Sequence, residues 1–221
     1  MMEKKEEEKN IPKKKSKNDA KDNDCQIFKV ITLGDSGVGK TSIINRYTKN
    51  VFNDNTASSV GVSFSIKELY FNKNQKFKLK LLDTCGQEKY NAITKTYLKN
   101  SDAVLFVFAA NDKDSFDNIK DWMNLFNEQK SLKDIPHILL GNKSDLEGEI
   151  DENLIKEFCD TNQIKYMKVS AKKKVNINES FEEIGEMLIQ KYKPSDNQKK
   201  FKVSSYKKGK NHGCDLCKSS L

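Results

Sequence analysis

The sequence predicts an α/β fold in which helices cover both faces of an open, mostly parallel sheet. From residue 27 onward, short apolar and β-branched runs alternate with longer segments of helical periodicity. Residues 103–110 form a continuous apolar run, which is typical of a strand buried on both faces. A glycine-rich turn separates the first strand from the first helix. We expect six strands, one of them an antiparallel edge strand, and about five flanking helices.

Six segments have the length and composition of strands: 27–33, 62–66, 77–83, 103–110, 135–141 and 164–169. Val62, Phe64 and Ile66 alternate with polar residues, which predicts a strand with one buried face. A polar turn at 72–75 predicts a hairpin between the second and third strands. Helices are predicted near residues 41–50, 116–126, 151–161 and 177–192.

The charge distribution divides the chain into three parts. Residues 1–24 hold eight lysines and seven acidic residues with almost nothing apolar, so we expect a disordered arm. Residues 25–192 form the predicted folded domain, with a net charge of only +1. Residues 193–221 form a tail of charge +6. Since the folded part is nearly neutral, a nucleic-acid partner is not expected, and the tail suits a negatively charged membrane surface.

Several function classes are excluded by composition. No apolar run approaches the roughly 20 residues of a membrane-spanning helix. The first residues are charged and lack the apolar stretch of a secretory signal. Five scattered cysteines do not form a disulfide framework. We therefore expect an intracellular protein without a membrane span.

The turn after the first strand is a phosphate-binding motif. Its residues 34–41 read GDSGVGKT, which fits G-x-x-x-x-G-K-[ST] between a strand and a helix. Backbone amides and the helix N-terminus would surround the phosphates, Lys40 would reach the outer ones, and the Thr41 hydroxyl would ligate Mg²⁺. The predicted phosphate-binding residues are Asp35, Ser36, Gly37, Val38, Gly39, Lys40, Thr41 and Ser42.

Two later segments bear on the choice of base. Residues 142–145 (NKSD) and 170–172 (SAK) follow the fifth and sixth strands, at the sheet edge where α/β proteins bind ligands. The Asp145 carboxylate can accept hydrogen bonds from N1–H and the 2-amino group of guanine, which adenine does not offer in that pattern. We predict a guanine site from Asn142, Lys143, Asp145, Ser170, Ala171 and Lys172. A P-loop phosphotransferase or ATPase is the alternative that these segments disfavour.

With these motifs, the sequence resembles the Ras-like small GTPases, and most closely the Rab family, over residues 26–192. The matching stretches are GDSGVGKTS (34–42), SVGVSF (59–64), LLDTCGQEKY (81–90), GNKSD (141–145) and SAK (170–172). The resemblance implies a G domain of the P-loop NTPase type that binds GTP or GDP with Mg²⁺ and hydrolyses GTP. Thr41, Ser59 and Asp83 would be its metal ligands.

The resemblance also implies roles for other positions. Gln87 would orient the attacking water and act with Lys40 in catalysis, and Gly86 would sense the γ-phosphate. Phe52 would pack against the guanine. Arg46, the one arginine of the chain, falls on the first helix, so no arginine finger is assigned. A nucleotide-binding scaffold that barely hydrolyses GTP stays open as an alternative.

Departures from the Rab pattern predict altered behaviour. Ser59 stands in place of a threonine, which predicts a less ordered first switch. Leu82 stands in place of the tryptophan that would join Phe64 and Tyr97 in an aromatic triad read by effectors. The chain ends CDLCKSSL, so Cys214 and Cys217 are candidates for prenylation, with free thiols as the alternative.

The resemblance further implies partners and location. Expected partners are an exchange factor, a GTPase-activating protein, an escort protein or GDP-dissociation inhibitor, and effectors. The chain would act as a monomer on the cytoplasmic face of an intracellular membrane, cycling with the cytosol, in vesicle-mediated transport.

Overall fold

The computed structural model describes residues 26–54, 62–71, 75–84, 92–148 and 150–192. The strands are β1 (Gln26–Leu33), β2 (Ser63–Phe71), β3 (Gln75–Asp83), β4 (Ala103–Ala109), β5 (His137–Asn142) and β6 (Lys165–Lys168). The α-helices are α1 (Lys40–Lys49), α2 (Ala92–Lys99), α3 (Lys113–Asp117), α4 (Ile119–Asn127), α5 (Glu152–Asn162) and α6 (Ile177–Tyr192). A short 3₁₀ helix, Leu132–Asp134, precedes β5.

The six strands form one sheet in the order β2-β3-β1-β4-β5-β6. Strand β2 lies at the edge and pairs antiparallel with β3, whereas β3-β1, β1-β4, β4-β5 and β5-β6 are parallel. The predicted fold class is therefore confirmed, including its antiparallel edge strand. Because β1 lies between β3 and β4, the loop after β1 falls where the strand order reverses, which is where open α/β sheets bind ligands.

Two apolar clusters hold the helices to the sheet. Helices α1 and α6 cover one face, where Ile43, Tyr47, Phe181 and Leu188 pack against β1, β3 and β4. Helices α2 to α5 contribute to the second cluster on the other face. Strand β4 is buried along its whole length, as its continuous apolar run predicts. Because β1 and β3 to β6 all run in the same direction, their carboxyl ends lie at one edge of this covered sheet. None of the helices described is both long and apolar enough to cross a membrane.

Two predictions about individual elements were wrong. The single helix expected near residues 116–126 is instead two helices, α3 and α4, which meet at Asn118. Asparagine is a weak helix former, and here its side chain bonds across to the loop after β1. The expected buried face of the second strand is largely exposed: Val62 packs against the second apolar cluster, but Phe64 and Ile66 are 62% and 52% accessible. No described helix covers them, so their alternation does not indicate a core.

The Tyr47 hydroxyl offers a test of the core packing. The ring is buried and stacks on Phe181 with centroids 3.9 Å apart, but the hydroxyl has no hydrogen-bond partner among the described residues. Burial raises the pKa of this hydroxyl, so it stays protonated at neutral pH. Since a buried unpaired hydroxyl is destabilising, Tyr47→Phe should raise the free energy of unfolding by about 1 kcal/mol, measured by urea denaturation.

The matched control is Tyr70→Phe, because Tyr70 is 71% exposed. That variant should leave the free energy of unfolding unchanged. A Tyr47→Phe variant less stable than the unsubstituted protein would show that the hydroxyl has a stabilising partner.

Candidate nucleotide-binding site

The loop between β1 and α1 is shaped for close approach of backbone and ligand. Gly39 lies immediately before α1 with φ of 96°, in the left-handed region that favours glycine. A Cβ atom at this position would come within 2.3 Å of the side-chain nitrogen Nδ2 of Asn142. Gly39 is therefore required both by backbone conformation and by the packing of the loop against β5.

The side chain of Lys40 contacts the start of this loop. Its Nζ donates to the carbonyl oxygens of Gly34 (2.9 Å) and Asp35 (2.8 Å), and the residue is only 4% exposed. Helix α1 carries no acidic residue in its first turn, so no carboxylate there offsets the positive end of the helix dipole. The loop thus combines a lysine ammonium with a helix N-terminus, which is an arrangement suited to phosphate.

Thr41 and Asp83 meet beside the loop. The Thr41 hydroxyl donates to Oδ2 of Asp83 over 2.8 Å, although the two residues are 42 positions apart in sequence. Asp83 is the last residue of β3 and is 4% exposed. A hydroxyl and a carboxylate in contact are oxygen ligands of the kind that Mg²⁺ prefers, so this pair fits the metal expected there.

Asp145 is held by the loop that follows β6. Its Oδ1 accepts a hydrogen bond from the Ser170 hydroxyl over 2.5 Å. Asn142 joins the same loop to the phosphate loop, since its Nδ2 donates to the Val38 carbonyl (2.8 Å) and its Oδ1 accepts from the Ala171 amide (3.1 Å). The three sequence-predicted segments therefore form one hydrogen-bonded unit at the carboxyl edge of the sheet.

A cavity of about 380 Å³ opens between these segments. Twelve predicted site residues line it: Ser36, Gly37, Gly39, Lys40, Thr41, Ser42, Phe52, Asn142, Lys143, Asp145, Ala171 and Lys172. Sequence reasoning did not anticipate four further lining residues: Asn53, Asp54, Thr84 and Leu146. Each of them lies next to a predicted site residue in sequence, and no other feature of the sequence indicated that it would line the cavity.

Four predicted residues that the structure describes do not line the cavity. Asp83 lies beside the loop in contact with Thr41. Asp35 faces α4, Val38 supplies the carbonyl that binds Asn142, and Ser170 binds Asp145. The predicted roles of Ser59, Gly86 and Gln87, and of Cys214 and Cys217, concern residues outside the part of the chain that the structure describes.

Arg46 supports the end of the cavity formed by residues 170–172, a role that the sequence did not indicate. Its Nε donates to the Ala171 carbonyl (2.8 Å) and its Nη2 to that of Lys172 (3.3 Å). The guanidinium also lies 5.8 Å from the centroid of the Phe52 ring, within cation–π range. Lys172 in turn pairs with Asp54 at 3.1 Å. One side chain of α1 thus ties together two loops that border the cavity.

We expect Arg46→Met to weaken GDP binding about tenfold, because the loop at 170–172 loses its hydrogen-bonded support while the apolar stem is largely kept. Affinity can be measured by titration calorimetry. Lys49→Met is the matched control, since Lys49 is an exposed cation at the end of the same helix. Equal affinities for the Arg46 and Lys49 variants would contradict this role.

The fold and the cavity together define a P-loop nucleotide-binding protein. Comparison with known proteins narrows the class: a sequence model described as "Ras family" matches residues 29–190. The chain is 38% identical over 157 residues to Ras-related protein Rab-11B of Dictyostelium discoideum, covering 70% of each chain. It is 35% identical to Ras-related protein Rab-1D of the same organism, covering 70% of this chain and 76% of that protein.

A third relative, GTP-binding protein ypt1 of Schizosaccharomyces pombe, is 31% identical over 157 residues, with 70% and 76% of the two chains covered. The chain therefore belongs to the Ras family of small GTPases, as a member of the Rab group. The enzymatic activity of this class is hydrolysis of GTP.

Proposed function

We propose that the chain is a molecular switch that binds GTP and GDP with Mg²⁺ in the cavity described above and alternates between the two by hydrolysis. The observation that carries this proposal is the hydrogen-bonded unit of Asn142, Asp145 and Ser170 against the phosphate loop. This unit supports the proposal because it brings a carboxylate with the hydrogen-bonding pattern that suits guanine and a loop suited to phosphate to one cavity. Two loops, at about residues 52–64 and 84–97, would become ordered when the γ-phosphate is bound and would be released after hydrolysis.

The residues divide the chemistry as follows. Lys40 and the N-terminus of α1 bind and neutralise phosphate oxygens, while Asp145 selects the base. Thr41 and Asp83, with Ser59, would hold Mg²⁺, which supplies charge neutralisation at the phosphates when bound. Gln87 would orient the attacking water, and Gly86 would report the γ-phosphate to the second loop. Catalysis of this kind depends on positioning and electrostatics more than on a strong base.

Single-turnover hydrolysis of bound GTP tests the switch. Arg46, the sole arginine, is engaged with the base loops, so the chain has no arginine to stabilise the transition state. Unassisted turnover should be slow, on the order of 10⁻⁴ per second. Gln87→Leu should slow it further without changing GTP affinity. An equal rate in both proteins would favour the alternative of a guanine-nucleotide scaffold with negligible hydrolysis.

We also propose an effector surface formed by Phe64 on β2 together with Tyr97 on α2. Phe64 is 62% exposed and its ring lies under the Lys80 ammonium at 4.2 Å, while Tyr97 is 37% exposed. Leu82, which pairs with Phe64 across the hairpin, is only 3% exposed and packs into the core. The surface therefore offers two aromatic rings and a lysine where the family pattern has three rings, which supports a different choice of effector.

The further proposal is that the chain regulates vesicle-mediated transport on an intracellular membrane. Support comes from its Rab-group membership and from the +6 charge of residues 193–221, because a basic stretch is a usual second signal beside a lipid anchor. Prenylation would be at Cys214 and Cys217. Intact mass of protein purified from its own cells tests this: one or two geranylgeranyl increments are expected, and unmodified cysteines would remove the lipid anchor.

A further inference from the structure

The side chain of Asp35 connects the phosphate loop to helix α4. Its Oδ1 accepts a hydrogen bond from the indole Nε1–H of Trp122 over 2.8 Å, and its Oδ2 accepts one from the Asn118 side-chain amide over 2.7 Å. Asp35 does not line the nucleotide cavity, and neither do Trp122 and Asn118. Both oxygens of a phosphate-loop carboxylate are thus bound by a helix that does not border the cavity.

The anchor on α4 is buried in the core. Trp122 is fully buried and belongs to the apolar cluster that fixes α4 to the sheet. At its other end, Asp35 offers its backbone carbonyl to the Lys40 Nζ at 2.8 Å. The residue is consequently held from two sides, by α4 through its carboxylate and by Lys40 through its carbonyl. Hydrogen bonds to a carboxylate are about twice as strong as neutral ones, so this connection constrains the loop firmly.

We propose that Trp122 and Asn118 are positioning residues for nucleotide binding, acting through Asp35 to keep the phosphate loop in its binding conformation. This inference rests on the proposed function of the same cavity. A loop that is already ordered loses less conformational entropy when a ligand binds, so its ligand dissociates more slowly. Since 83 to 87 residues separate the partners in sequence, no motif around Asp35 indicates them.

The test is dissociation of a fluorescent GDP analogue from the full-length protein loaded with Mg²⁺. Asn118→Ala and Trp122→Phe should each accelerate dissociation about tenfold, the scale of one lost charge-assisted hydrogen bond. Asp35→Asn should do the same. Combining Asn118→Ala with Asp35→Asn should add little beyond the faster single variant, because both act through the same contact.

Phe126→Leu is the matched control. Phe126 lies on α4, is fully buried and packs in the same cluster as Trp122, but its apolar side chain has no group that could hydrogen-bond to Asp35. Its substitution should lower the melting temperature and leave GDP dissociation unchanged. Asn118 is only partly buried, so its alanine variant tests the proposal even where Trp122→Phe reduces stability.

The indole N–H gives a direct spectroscopic readout, because Trp122 is the only tryptophan of the chain. In a ¹⁵N-correlated spectrum it should give one downfield resonance that moves upfield in Asp35→Asn. If all three variants released the GDP analogue at the rate of the unsubstituted protein, the positioning role would be overturned and the proposed function would remain intact. These variants are Asn118→Ala, Trp122→Phe and Asp35→Asn. A wild-type protein that binds no guanine nucleotide would instead overturn the proposed function, and the positioning role with it.

Discussion

Replacing Asp145 with asparagine should weaken GDP binding about 100-fold and increase affinity for xanthosine diphosphate. The carboxylate can only accept hydrogen bonds, which suits the N1–H and 2-amino donors of guanine. An amide can also donate, so it matches a base that carries a carbonyl in place of the amino group. Sites that hydrogen-bond a ligand discriminate strongly against partners that leave a buried polar group unpaired, which sets this magnitude.

The contact with Ser170 helps to separate an effect on base recognition from an effect on loop structure. The Ser170 hydroxyl donates to Oδ1 of Asp145. An asparagine can keep that contact through its carbonyl oxygen, so the substitution changes base pairing more than loop structure. Asp54→Asn is the matched control: Asp54 also borders the cavity but pairs with Lys172 at its exposed rim. Titration calorimetry with both diphosphates provides the measurement. An unchanged preference in Asp145→Asn would show that another group reads the base.

Removing Mg²⁺ should accelerate GDP dissociation about 100-fold, and Asp83→Asn should reproduce that effect with the metal present. Coupling between two ligands is reciprocal, and couplings of 5- to 150-fold are typical. Here the metal and the diphosphate would share one site beside Thr41, so strong coupling is expected. Asparagine preserves an oxygen that can accept from the Thr41 hydroxyl but lacks the negative charge that holds a divalent cation.

The experiment compares dissociation with and without a chelator in both proteins. The unsubstituted protein should respond strongly to the chelator, whereas Asp83→Asn should release GDP rapidly under either condition. Asp112→Asn serves as a control, because Asp112 caps α3 and takes no part in the cavity. If Asp83→Asn retained slow, chelator-sensitive release, the metal would have to be held elsewhere.

The sequence was sufficient to predict features that depend on a short motif, or on every residue of an element having the same degree of burial. The phosphate loop could be identified because its glycines, Lys40 and Thr41 lie within eight consecutive positions. Strand β4 could be identified because both its faces are buried, so every residue is apolar. Asp145 could be predicted to lie at the carboxyl edge of the sheet because it follows a strand, and it does line the cavity.

The supporting contacts could not be predicted, because they join residues distant in the chain. Arg46 reaches the Ala171 carbonyl across 125 positions, and Trp122 reaches Asp35 across 87. Nothing local to either residue indicates its partner. The prediction of a buried face on β2 was wrong for another reason. Phe64 and Ile66 alternate as core residues would, but alternation does not reveal which face of a sheet is covered by a helix.

The measurement that tests the central claim most directly is the identity and amount of nucleotide extracted from the purified full-length protein. Chromatography of the denatured extract should show GDP or GTP approaching one equivalent per chain, because the cavity joins a phosphate cradle to Asp145. The same protein stripped of nucleotide should rebind GDP and not ADP. Bound adenine nucleotide, or equal rebinding of ADP and GDP, would contradict the assignment of this cavity as a guanine-nucleotide switch.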